Sequence, residues 1–230
     1  MGRDTAAGVL LAVALVAGGT VVSGRATAFV RPGFAVAVLV AAVVLAVAGV
    51  ASLAAGGDDG HAGDDHGHHG PGRVGLMLLL PLLLLQVVDP GSLGSTMALG
   101  GDNGVARASS TLVFPPLDGT GTVDLTFSEF LGRVFAEDES LVGRPVRLVG
   151  RVAGESDGSP RLVRFVIACC AADARPLHVV LDGALGLPTD DAWAQVEGTW
   201  DGTMTPGGEA PVVRVVSVVE VGEPPLPYEF

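Results

Sequence analysis

The stretch LVGRPVRLVGRV, Leu141–Val152, passes through a Gly-Arg-Pro turn and then alternates apolar and polar residues, the period of a strand buried on one face. Four further runs of this kind follow: Arg161–Cys169 (RLVRFVIAC), Leu177–Leu181, Ala192–Gly198 and Val212–Val221. Clusters rich in Gly, Asp and Pro separate several of them, at Glu155–Pro160, Leu185–Asp190 and Asp201–Pro211, where turns need left-handed or fixed backbone angles. Five short strands so spaced predict a small OB-like Greek-key barrel. One helix precedes them. Phe127, Phe130, Leu131 and Val134 recur at helical spacing within Thr126–Ala136, and Thr126 with Glu129 fits a capping box. Glu137, Asp138 and Glu139 read as the solvated end of that helix, and Trp193 and Trp200 as barrel packing.

Upstream the composition changes. Residues 6–22 and 34–55 are long and free of charge, the second containing FAVAVLVAAVVLAVAGV, and residues 74–88 are shorter but greasier, with LMLLLPLLLLQVV at their heart. A helix needs ~20 apolar residues to cross a bilayer core, where no water can satisfy an open backbone. Three transmembrane helices are therefore expected. Pro81 kinks the third unless neighbouring helices satisfy the freed carbonyl. A cleaved signal peptide ending at Ala26-Thr27-Ala28 is the alternative for the first. The expected organisation is a membrane region over 1–99, a linker over 100–121 and a soluble domain over 122–230, making an α+β protein. Arg25 and Arg31 flank one side of the first helices, and Arg3 and Arg73 the other. The positive-inside count is thus close to even, and an extracytoplasmic soluble domain is the orientation expected.

The net charge is −12, with no lysine, and eighteen acidic residues face nine arginines from Gly104 onward. Nucleic-acid binding is excluded on that ground, because phosphate contact needs clustered cations. Between the second and third apolar stretches lies GGDDGHAGDDHGHHGPGR. His61, His66, His68 and His69 there, interleaved with four aspartates, suit labile binding of zinc or a similar cation. The other reading is a solvated linker.

The two cysteines are adjacent, Cys169 and Cys170 in RFVIACCAADARP. Neighbouring strand residues point to opposite faces, so the pair belongs at the strand's end, where Ala-Ala-Asp-Ala-Arg-Pro supports a turn. Three chemistries fit there. The thiols can ligate a soft or borderline metal with Asp173 or His178, form a strained vicinal disulfide, or simply fill space as small buried residues. No G-x-S-x-G, P-loop or H-E-x-x-H sequence occurs, and His178 is the soluble half's one histidine, so no hydrolytic triad can be built.

The order of short spans, a His/Asp-rich loop, a further span, and a β-domain with LVGRPVRLVGRV, LVRFVIACCAADA and AWAQVEGTW resembles the YcgQ family. Its members are bacterial membrane proteins regarded as the second subunit of a two-gene permease. The resemblance implies a multi-span YraQ-type permease as partner and a plasma-membrane location. The function expected is a non-enzymatic accessory subunit of a transporter handling a transition metal, zinc first. The alternatives are a membrane-tethered thiol redox protein and a structural anchor with an interaction barrel.

Overall fold

The computed structural model describes residues 3–55, 91–98, 103, 114–117, 119–154, 159–183 and 186–230. The chain divides into two compact units, Met1–Gly91 and Ser92–Phe230.

In the first unit α1 (Arg3–Val22) and α2 (Pro32–Ala54) pack as a hairpin. Pro32 sits at the start of α2, where its missing N–H costs nothing and its fixed φ suits a helix. Glycine allows the close approach: a Cβ on Gly49 would lie 2.8 Å from Leu11 Cγ, the small-residue contact that apolar helices use in lipid. Val36, Val40, Val43, Val44, Val47 and Val50 are exposed along α2. Among the described residues, α2 alone is long and apolar enough to cross a membrane. Of the three expected spans, the second is thus the one that meets this criterion among the described residues. Ala6–Val22 is helical but too short for the same criterion, and the expected span at 74–88 lies outside the described residues, as does the loop at 56–73.

The second unit is built on a closed five-stranded barrel. Its strands are β2 (Pro145–Ala153), β3 (Arg161–Val166), β4 (Arg175–Asp182), β5 (Trp193–Met204) and β6 (Pro211–Glu220). The cyclic order is β2-β5-β6-β4-β3 and back to β2, with β4 and β6 parallel and every other pair antiparallel. Two short strands extend the sheet: β1 (Val123–Asp124) lies parallel to β2, and β7 (Tyr228–Glu229) parallel to β3. The helix α3 (Phe127–Phe135) contributes Phe127, Phe130 and Leu131 to a core shared with Val146, Leu148, Leu162, Leu177, Val179, Val196 and Val213.

Strand limits differ most from the sequence reading at β3 and β5. β3 ends at Val166, short of the cysteines, because the backbone turns before them. β5 continues past Gly198 to Met204, since irregularities at Glu197/Gly198 and beyond Trp200 let the pairing with β6 resume. A Cβ on Gly198 would sit 2.5 Å from Arg214 O, and one on Gly150 2.6 Å from Val163 O. Both glycines mark tight bends where neighbouring strands close in.

The capping box forms only on one side. Thr126 Oγ1 accepts from Glu129 N at 3.1 Å, but the Glu129 side chain turns to Arg133 at 2.8 Å. The open N–H groups of Phe127 and Ser128 instead donate to the Glu229 carboxylate, each at 2.7 Å, which places an anion at the positive end of the helix. Asp138 is no solvated helix end either: it pairs at 2.6 Å with Arg133, whose side chain is only 3% exposed. The guanidiniums of Arg151 and Arg164 each lie over the Trp193 ring, 4.8 Å from its centre.

A second apolar cluster covers the outside of β3. Val163, Phe165, Ile167 and Tyr228 pack there with Ala98 and Leu93, and Leu93 N donates to the Tyr228 hydroxyl at 3.0 Å. Asn103, with no exposed surface, extends this cover. Its amide donates to His178 O at 2.9 Å and Glu209 O at 3.1 Å, and accepts from His178 N at 2.9 Å. His178 precedes the β4–β6 pairing, so a side chain here completes a ladder that no strand supplies. Asn103→Ala leaves these buried backbone groups unpaired and should destabilise the barrel by about 2–4 kcal/mol. Urea unfolding followed by tryptophan fluorescence measures this, since both tryptophans belong to the barrel. An unchanged midpoint refutes the bridging role.

Candidate metal centre

After Val166 the chain leaves the β3 ladder, bends at Ala168 and Cys169, and makes a 3-10 turn over Ala171–Asp173 before β4 begins at Arg175. The turn is organised by one carboxylate. Asp173 Oδ1 accepts from Ala168 N at 2.8 Å, and Oδ2 accepts from Cys169 N at 2.8 Å and Cys170 N at 3.2 Å. The turn thus carries a carboxylate three residues after its N-cap, an arrangement in which short side chains satisfy the first N–H groups.

The same carboxylate gathers the thiols. Cys169 Sγ donates to Asp173 Oδ2 at 2.8 Å and lies 3.5 Å from Cys170 Sγ. One ligand atom from each of Cys169, Cys170 and Asp173 falls within 4.8 Å of the others. Both cysteines are free and partly buried, and neither belongs to the buried core clusters. The thiol hydrogen bond from Cys169 and the amides of Ala168 and Cys169 hold Asp173 down to about 2. Its hydrogen bond to Asp173, and then to Cys170, pushes Cys169 up to about 12, because losing the proton sets a thiolate against a carboxylate.

This arrangement favours one chemistry over another. A thiol raised in this way stays protonated at neutral pH unless something displaces its proton, which slows attack as a redox nucleophile. A disulfide would need the sulfurs to close from 3.5 Å to about 2.05 Å. A divalent cation meets the opposite situation. Sulfurs bound tetrahedrally at about 2.3 Å stand roughly 3.7 Å apart, close to the spacing already present. The proton between Cys169 and Asp173 holds the place where such an ion relieves the repulsion of converging anions. The three residues fit a soft or borderline cation, leaving a fourth position for solvent or another ligand.

Sequence-predicted residues divide accordingly. Cys169, Cys170 and Asp173 come together. His178 does not join them; it is buried on β4 opposite Val163, with Nε2 3.4 Å from Arg161 NH1. His61, His66, His68 and His69 lie outside the described residues. Arg164, five residues before Cys169, donates to Val149 O and Leu226 O.

Asp173→Asn removes the charge that opposes the thiolate, so Cys169 should fall toward its ordinary range. Each unit of that fall raises the thiolate population about tenfold at a given pH. Alkylation of Cys169 at pH 8, followed by peptide mass spectrometry, should therefore be at least about tenfold faster in the variant. Equal rates would remove Asp173 as the controlling group.

No curated protein matches this chain. Among solved structures, a chain of the S. pombe Stn1-ten1 complex is similar over 46% of this chain and 81% of its own, with 16% identity and a TM-score of 0.27. Residues 121–230, which hold the barrel strands, α3 and the cysteine turn, match the family model described as the DUF1980 C-terminal domain.

Proposed function

We propose that the chain is a membrane-anchored, non-enzymatic accessory subunit of a transporter, whose barrel holds a soft or borderline transition cation, zinc first, at Cys169, Cys170 and Asp173. The observation that carries this reading is the convergence of two thiols and a carboxylate within 4.8 Å on an accessible turn. The turn is rigid before any ion arrives, because three backbone amides already orient Asp173, and a preformed ligand set lowers the ordering cost of binding. The barrel's closed five-strand order, with its parallel β4–β6 step, supports the finer description as OB-like.

The anchor and the partner complete the proposal. An apolar helix such as α2 suits lipid or the flank of a larger membrane protein. The likeness of the chain's layout to the YcgQ family supplies the partner, a YraQ-type permease in the plasma membrane, with further spans at 6–22 and 74–88 and the barrel on the outer face. The histidines at 61, 66, 68 and 69 would then act as a second, looser collection point for the same class of ion.

The test uses the full chain in detergent under reducing conditions at pH 7.5. Titration with cobalt(II) should give a sulfur-to-metal charge-transfer band, reversed by zinc, and zinc binding by calorimetry should weaken about 100-fold or more in Cys169→Ser/Cys170→Ser. Replacing the four loop histidines with alanine should leave the band intact. Cobalt binding without the band, or a double-serine variant that binds zinc unchanged, would sink the cysteine site. Failure of a neighbouring permease to co-purify from membranes would sink the subunit assignment.

A further inference from the structure

A second site stands on the same barrel, independent of the cysteines. A cavity of about 230 Å³ opens between the end of the β2–β3 loop and the β5–β6 loop, over the outer faces of β3 and β4. Ser159 comes from the first loop, Arg161 from β3, His178 and Val180 from β4, and Thr205 and Glu209 from the second loop. Register explains the grouping. Arg161 faces Val180, and Val163 faces His178, so these residues share one surface, while Leu162 and Val179 point into the core.

Size and chemistry limit the occupant. The volume is below the ~300–1,000 Å³ of sites for drug-sized ligands. OB barrels often take long ligands over this surface, but here the outside of β3 is packed under Leu93, Ala98 and Tyr228, which leaves room only for a small molecule. The guanidinium of Arg161 offers a planar fork of donors suited to a carboxylate. A guanidinium cannot accept, so His178 Nε2, 3.4 Å from Arg161 NH1, is placed as the acceptor of that contact. Glu209 places a carboxylate in the same lining, which disfavours a purely anionic guest but suits one that also carries a donor. The site is preorganised, since Asn103 ties the backbones of His178 and Glu209 together.

We infer that this cavity binds a small organic acid bearing an ammonium or hydroxyl group beside its carboxylate, of the amino-acid or hydroxy-acid class. Arg161 takes the carboxylate, Glu209 accepts from the donor group, and Ser159 and Thr205 complete the polar contacts.

Calorimetry on the full chain in detergent, with L-serine, L-lactate and inorganic phosphate as probes, tests the inference. Saturable binding of L-serine or L-lactate, tighter than phosphate, is expected. Arg161→Gln should weaken it about tenfold or more, and Val180→Phe, which fills the cavity without touching a charge, should abolish it. Glu209→Gln should weaken L-serine more than L-lactate. Tryptophan fluorescence establishes that each variant is folded, and its cobalt charge-transfer titration should match wild type, which separates this site from the cysteine turn. Absence of saturable binding by either acid, phosphate as the tightest probe, or undiminished binding in folded Arg161→Gln and Val180→Phe would overturn it.

Discussion

β2 hydrogen-bonds to β5 along most of its length and to β3 at its far end, and Arg151 is matched on both sides, to Trp193 and to Val163. Everything else in the second unit depends on that double pairing. Closing the sheet on itself bends β2 as it meets its second neighbour, and Gly150 stands beside that point with the Val163 carbonyl where a Cβ would lie. Closure leaves the five barrel strands without an open edge between them, which matters because unpaired edges recruit other chains. It also gives Leu148, Leu162, Val179 and Val196 a shared interior that water does not reach, and burial of this kind supplies most of a small domain's stability.

The closed barrel sets the chemistry at the end of the β3–β4 hairpin. Once β3 and β4 are in register from Arg161 to Val166, the residues between them must turn within a short distance, and Asp173 supplies the acceptors that the turn's amides need. The thiols are drawn to the same carboxylate as a consequence. A group that stabilises the turn therefore also decides the protonation of Cys169, so structural and chemical roles cannot be separated at Asp173. The hydrogen bond to Asp173 favours the protonated form of Cys169, and the proposed cation would take that proton's place.

Much of this was legible in order along the chain. Alternation placed the five strands and helical spacing the helix, because the side-chain period reports which face meets a core. The adjacency of Cys169 and Cys170 placed them at a strand end, because a pleated strand cannot turn two neighbours to one side. The apolar N-terminal half was less legible. Hydropathy names residues able to lie in lipid, yet α1 and α2 differ in how long their apolar stretches are as helices, and helix ends follow local backbone hydrogen bonding more than composition.

By itself, then, the sequence determined the element types, the separation of an apolar N-terminal region from an acidic β-domain, and the candidacy of two thiols with Asp173, all of which rest on neighbours within a few residues. Only the tertiary structure decided which distant residues meet. It brought Asn103 from a stretch that reads as linker onto the open backbone of His178, and set Glu229 against the start of α3. It also kept His178 away from the cysteines and placed it beside Arg161. The physical reason is that strand register and barrel closure are settled by a shared core and a complete set of backbone hydrogen bonds. Those conditions are satisfied by the whole domain at once and leave no mark in any short segment.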